Sequence, residues 1–427
     1  MLDRRTFATL LAGSAAAPGL ARARHGTTGG ATKMAFYSGV GTELTHYDVD
    51  VDGEALTKQR AVALPSSVQY AWPHPSRRFL YVSSSSGGPG QSGNQHHVTA
   101  FRIDAATGAL ALHGSPIALR SRPVHNSVDR SGEYLLVTYN DPSGVSVHRI
   151  KPDGTIGDEV KQPEDLDVGI YAHQIMATPS NRTVTLITRG NDATATKPED
   201  PGSIKVFGFK DGVLTNKAAV QPGNGLGFGP RHLDFHPSKP FVFVSIERQN
   251  QLYVYKLLPD GGLSAQPLFV TSTITDRSKR VSTAGPIHVH PNGKFVYLAN
   301  RGGWAGSSPK PGREMFGGLP VFPETYSNIA VFAIDQETGA PSLVQTADAH
   351  GAHPRTFSFD PSARMLVAGL LVPVALRQDG NMTILPAGLT VFRIGADGKL
   401  AFVRKYDVDT GKQTQWWTGM VVPPQQR

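Results

Sequence analysis

The sequence predicts an all-β fold, a β-propeller closed into a ring, and three observations predict it. Glycine and proline supply 46 and 32 of the 427 residues, a turn density that suits many short strands better than a few long helices. One strand–turn–strand unit recurs six times along the chain. A seventh, incomplete unit opens the body of the chain and an orphan strand ends it. Joining the two would close the ring and leave no free sheet edge.

The six complete copies follow in order. Ala71-Trp72-Pro73-His74-Pro75 leads to Phe79–Val82 and then Val98–Phe101. Val124–Asp129 leads to Tyr134–Val137 and Val145–Val147, and His173–Pro179 to Val184–Ile187 and Ile204–Phe207. Arg231–Pro237 leads to Phe241–Val244 and Leu252–Tyr255. Ile287–Pro291 leads to Phe295–Leu298 and Ile329–Phe332, and Arg355–Pro361 to Met365–Ala368 and Leu389–Phe392. The partial copy, Met34–Tyr37 with Leu44–Tyr47, lacks a first strand, which Thr418–Val422 could supply. Seven units over residues 34–427 give about 56 residues each, close to the roughly 40–50 of known propeller repeats with room for loops. Six or eight blades remain compatible with the pattern.

The first 23 residues read as a leader. Asp3-Arg4-Arg5-Thr6-Phe7 carries an arginine pair, Ala8–Ala17 is weakly apolar, and Ala21-Arg22-Ala23 is a small-residue cleavage site. That is the order of an export signal, and the arginine pair points to the twin-arginine route. The apolar stretch is too short to span a bilayer, so no stable membrane anchor is expected. Residues 24–33 read as a flexible linker and 34–427 as one propeller domain. The mature protein is expected in the periplasm or outside the cell, as a monomer.

Composition removes several function classes. There is no cysteine, which excludes disulfides and thiolate metal sites. The formal charge of +8 comes from scattered residues without basic runs or aromatic–basic interleaving, so nucleic acid is not an expected partner. A small anionic or sugar-like molecule suits a mildly basic body better. There is no H-E-x-x-H, P-loop or G-x-S-x-G motif, and the acidic residues lack a metal-ligand spacing. No metal and no cofactor are expected.

Blade geometry then sorts the polar residues. The start of a first strand and the end of a second strand lie on the same face of a propeller. His125, His173, Arg231, His232, His353 and Arg355 sit at or near first-strand starts, and Arg189, Glu247 and Arg301 at second-strand ends. The long connections 83–97, 190–203 and 302–327 belong to that face too. Long loops on one face of a rigid scaffold are the usual layout of a ligand site. His74, His236 and His290, beside prolines at the opposite turns, read as structural.

Gly229-Pro230-Arg231-His232, with His236-Pro237 and Phe243–Glu247, resembles the lactonase family of seven-bladed propellers. That family includes propeller-type 6-phosphogluconolactonases and fungal 3-carboxy-cis,cis-muconate lactonizing enzymes. His288–Gly302, with its Asn300-Arg301-Gly302, is the best-marked segment, and Pro354-Arg355 and Tyr139–Gly144 add weaker matches. The resemblance covers essentially the whole chain behind the leader. It implies His173 and Glu247 as catalytic residues and Arg231 and Arg301 as substrate-binding residues. Arg189, His232, Arg355 and His125 are further candidates for substrate contact. Two departures stand out: Thr188-Arg189-Gly190 replaces the family's Asp-Leu-Gly, and Ile246 stands where Asn commonly precedes the glutamate.

Opening a lactone needs water delivered to a carbonyl and a proton given to the leaving alkoxide. His173 suits the base role near neutral pH. Glu247 could donate a proton if its pKa were raised, or could orient His173. Arginine forks suit a carboxylate, a phosphate or an oxyanion. The implied activity is opening or forming a small sugar-derived or carboxylated lactone. The competing reading is a non-catalytic periplasmic propeller that binds a small ligand or a protein, because a propeller fold alone fixes no function.

Overall fold

The computed structural model describes residues 34–275, 282–302 and 314–424. The leader and linker read from residues 1–33, and residues 303–313 of the sixth-blade connection, lie outside the described residues. Seven four-stranded antiparallel sheets follow one another as blades. Their innermost strands are Gln415–Val421 in blade 1, Ser67–Pro73 in blade 2, Pro123–Val128 in blade 3 and Ala172–Ala177 in blade 4. Pro230–Phe235, Thr283–Val289 and Pro354–Phe359 serve blades 5 to 7.

The ring closes through the chain ends. Gln415–Val421 pairs antiparallel with Ala35–Val40, matching Ala35 with Val421 and Ser38 with Thr418. The other two strands of that blade are Glu43–Asp50 and Ala55–Ala63. The orphan strand thus supplies what the partial copy lacks, starting three residues earlier than its apolar pattern suggests.

Second strands are apolar on both faces because both faces are covered. Phe79–Ser85, Tyr134–Asn140, Thr183–Thr188 and Phe241–Ile246 are buried along their whole length. The core therefore lies between blades, not inside one. Tyr37 and Leu44 of blade 1 pack with Leu80, Val82 and Phe101 of blade 2, and the same pairing recurs around the ring.

The turn residues of the repeat clasp one blade to the next. Tyr37, Tyr81 and Tyr297 donate their hydroxyls to the carbonyls of Gly108, Gly154 and Gly398, each in the outer turn of the following blade, at 2.5, 2.8 and 2.6 Å. Gly154 has φ +88°, and a Cβ there would lie 2.3 Å from the Phe79 ring. Only glycine meets both demands. On the same far side, His74 and His236 bond through Nε2 to the carbonyls of Gly132 and Gly293 at 2.9 Å, and His290 to that of Ala363 at 3.1 Å. These three histidines are structural, as expected.

Two insertions leave the seven-fold plan. The hairpin Met315–Phe316/Leu319–Phe322 of blade 6 meets the hairpin Val374–Gln378/Asn381–Leu385 of blade 7. They join in parallel, Val321 opposite Ala375. A cleft of about 630 Å³ lies beside this small sheet, lined by Tyr326, Asp348, His350, Phe402 and Lys405 among others. It stands away from the candidate residues named above.

Candidate active site

Every innermost strand carries one extra residue near its start. The register slips at Gln69, Val124, His173, Arg231, Gly285-Pro286, Arg355 and Trp416 in blades 2 to 7 and 1 respectively. A β-bulge re-aims a side chain and ends regular pairing. Repeated seven times, it sets a ring of residues around one channel mouth. His173, Arg231 and Arg355 are three of its members. In blade 6 the ring position is a glycine, and a Cβ on Gly285 would lie 2.4 Å from Arg301 Nε. The missing side chain is what lets Arg301 lie there.

Glu247, at the end of blade 5's second strand, is the hub of one half of the mouth. Its Oε2 accepts from Arg189 Nε and its Oε1 from Arg301 Nη2, with Arg231 Nε 3.3 Å from Oε1. Arg301 also donates to Thr283 Oγ1 and to the Ala284 carbonyl, both at 3.0 Å. Arg189 reaches Asp192 at 3.0 Å and lies over the Tyr171 ring, 5.5 Å from its centroid. Burial alone would raise the Glu247 carboxyl, but Arg301 and Arg189 outweigh it and hold the group below its ordinary value. Two expectations change. Glu247 stays ionised, so it is not placed as a proton donor. Its oxygens are taken by arginines and make no hydrogen bond to His173.

His173 is 7% exposed and its ring makes no hydrogen bond to a described residue. Burial, with His232, Arg355, Arg301 and His125 nearby, keeps it well below the usual imidazole value, so the ring is neutral at pH 7. A ladder of rings runs from it into the channel. His173 lies 5.1 Å from His232, His232 6.0 Å from His125, and His125 4.1 Å from Tyr70, by ring centroids. His125, expected to touch substrate, is wholly buried within this ladder, and burial drops its pKa to about 3. It is a wall of the channel. His232 is buried in the same way and lies 3.4 Å from Arg231 Nη1.

The other half of the mouth has a different character. Arg355 and Arg122 lie over the Trp416 ring, 4.4 and 5.9 Å from its centroid. Arg122, Trp416, Tyr70 and Tyr171 join the candidates only through the fold. Arg122 stands just before Pro123, the first residue of its inner strand, and its one sequence signal is that place beside a strand start. His353, one of the strand-start histidines, is buried at the same mouth near Arg301 and Glu247. Among the described residues, no group of three or more His, Asp or Glu side chains is arranged to hold a metal ion.

The buried neutral histidines make stability pH-dependent. His125, His173, His232 and His353 all titrate below the ordinary value when folded, whereas the unfolded chain takes up these protons near pH 6.5. Below that pH the unfolded state binds more protons, so stability falls as pH drops. Urea unfolding between pH 7.5 and 5 is expected to lose up to about 1.4 kcal/mol per pH unit for each such histidine once below pH 6.5. A flat profile would contradict the neutral ladder.

Comparison with known proteins bears on this arrangement. Residues 26–385 match the family model described as "Lactonase, 7-bladed beta-propeller". A 6-phosphogluconolactonase of Bacillus subtilis is 27% identical over 369 residues, 83% of this chain and 94% of that protein. A 6-phosphogluconolactonase of Cronobacter sakazakii is 28% identical over 315 residues, 73% of this chain and 80% of that protein. The solved structure of a periplasmic gluconolactonase from Pseudomonas aeruginosa superposes with a TM-score of 0.66 at 18% identity, covering 92% of this chain and all of that one. A protein from Lactobacillus plantarum gives 0.66 at 20% identity, covering 91% and 99%. At these identities the structural matches speak for the fold.

Proposed function

The chain belongs to the lactonase family of seven-bladed β-propellers, and from that premise we propose that it is an exported hydrolase that opens a small sugar-derived or carboxylated lactone at the mouth built around His173. The observation that carries this reading is a neutral, unanchored imidazole beside a cluster of guanidiniums. His173 takes a proton from water as the water oxygen bonds to the lactone carbonyl carbon. Arg231 and Arg301 stabilise the oxyanion that forms; Arg231 Nη2 and Arg301 Nε have no acceptor among the described residues. The ring C–O bond then breaks, and the imidazolium returns its proton to the leaving alkoxide. Glu247 serves as the fixed carboxylate that gathers Arg189, Arg231 and Arg301. The reverse closure would use the same groups.

The leader at Arg4-Arg5 supports export by the twin-arginine route. Export disfavours a phosphorylated sugar lactone, which is a cytoplasmic metabolite, and favours an unphosphorylated one. Cell fractionation tests this: the wild-type chain should collect outside the cytoplasm, and an Arg4-Arg5→Lys-Lys leader should hold it inside. Equal distribution of the two would remove export from the proposal.

One observation favours the non-catalytic reading, namely that Glu247 is committed to structural ion pairs. Assay of the mature protein on a panel of aldonic and carboxylated lactones separates the two. Turnover supports the hydrolase; saturable binding with no turnover on any lactone supports the binding protein.

A further inference from the structure

Three arginines of the mouth share one carboxylate, but two others have none. Arg122 and Arg355 are 5% and 7% exposed. Arg122 donates Nε to Gln69 Oε1 at 3.0 Å. Among the described residues neither guanidinium has any other hydrogen bond, and neither has an acidic partner. Arg355 Nε is buried with no acceptor. Both cations share the Trp416 ring. Burial lowers each to about 10, and for Arg355 the charge of Arg122 adds to the effect. Buried charges are ordinarily paired, because leaving one uncompensated in a poorly hydrated site is costly. Two adjacent buried cations without a counter-charge ask for an anion from outside the chain.

Their place in the fold says what the anion belongs to. Gln69, Arg355 and Trp416 occupy bulge positions of blades 2, 7 and 1, and Arg122 immediately precedes the inner strand of blade 3. His173, Arg231 and Arg301 come from blades 4, 5 and 6. The two groups therefore occupy opposite halves of one ring. Arg355 is still close enough for its charge to act on His173.

We propose that Arg122 and Arg355, seated on Trp416, form an anion subsite that reads a carboxylate or phosphate group carried by the lactone at a distance from its reacting carbonyl. This rests on the lactonase reading and narrows its substrate to the anionic class. Each guanidinium offers a fork of N–H donors that matches such a group. A neutral aldonolactone would leave both cations unanswered.

The test compares three lactones of one carbon skeleton, bearing a terminal hydroxyl, carboxylate or phosphate. The mature wild type should favour one of the anionic substrates over the neutral one by about tenfold or more in kcat/KM, through KM. Arg122→Gln and Arg355→Gln should each bring that ratio toward one, and Arg355→Lys should keep part of it. The carboxylate and phosphate arms show which anion the subsite takes. A wild type that favours the neutral lactone, or a ratio unchanged in both glutamine variants, overturns the subsite. If no lactone is turned over, the hydrolase reading fails and calorimetry with inorganic phosphate and with malonate still decides the subsite. Binding of either probe, weakened about tenfold in both glutamine variants, sustains it; no binding of either to the wild type overturns it.

Discussion

Replacing Glu247 by alanine is expected to cost about 3–5 kcal/mol of folding free energy, the usual result of removing one partner from a buried ionic cluster. The side chain is 12% exposed and answers Arg189, Arg231 and Arg301 together. Without it, three guanidiniums repel one another in a site that water reaches poorly. Glu247→Gln keeps the shape but not the charge and should lose nearly as much. Urea unfolding at pH 7 measures the loss, and added sulfate should restore part of it by standing in for the carboxylate. Lactone turnover should fall with it, because Arg231 and Arg301 lose the group that aims them. An unchanged unfolding midpoint in both variants would show that the cluster carries no structural charge pairing.

Replacing His173 by alanine is expected to leave the fold nearly intact and to lower kcat/KM on an accepted lactone by roughly 10²–10⁴-fold, the range for loss of a positioned acid–base group. The small structural effect follows from a ring that makes no hydrogen bond to a described residue. The pH profile supplies a signature that a packing role would not. Because the folded ring titrates well below its ordinary value, wild-type kcat/KM should stay on its plateau through pH 6.5 and fall only at more acidic pH. Turnover undiminished in His173→Ala would end the assignment of His173 as the base.

The strand plan was readable because it rests on local signals. Apolar runs such as Phe241–Val244, punctuated by His-Pro and Asp-Gly turns, mark every blade, and the half-units Met34–Tyr37 and Thr418–Val422 foretold the closure. The pairing of Leu319–Phe322 with Val374–Gln378 was not readable, because two loops about 50 residues apart meet in parallel with no shared pattern. The site was legible as a set of positions and not as a set of partnerships. Strand starts and strand ends placed His173, Arg231, Glu247, Arg301 and Arg355 on one face. Which cation answers Glu247 depends on bulges at Arg231 and His173 and on the empty place at Gly285. A bulge is a slip between two strands that neither strand shows alone. Arg122 was passed over for the same reason, since it precedes Pro123 and reads as a loop residue until the ring is assembled.

Closure by the last strand also sets a timetable for biosynthesis. Ala35–Val40 emerges first and waits for Gln415–Val421, about 380 residues later. At roughly 5–20 residues per second that is on the order of 20–75 s. Until then the nascent ring has an open seam, with the apolar flank of its first blade uncovered. A chain so built is finished only when its translation is finished. Any step that acts on the mature shape, passage out of the cell included, has to wait for the ribosome to let go.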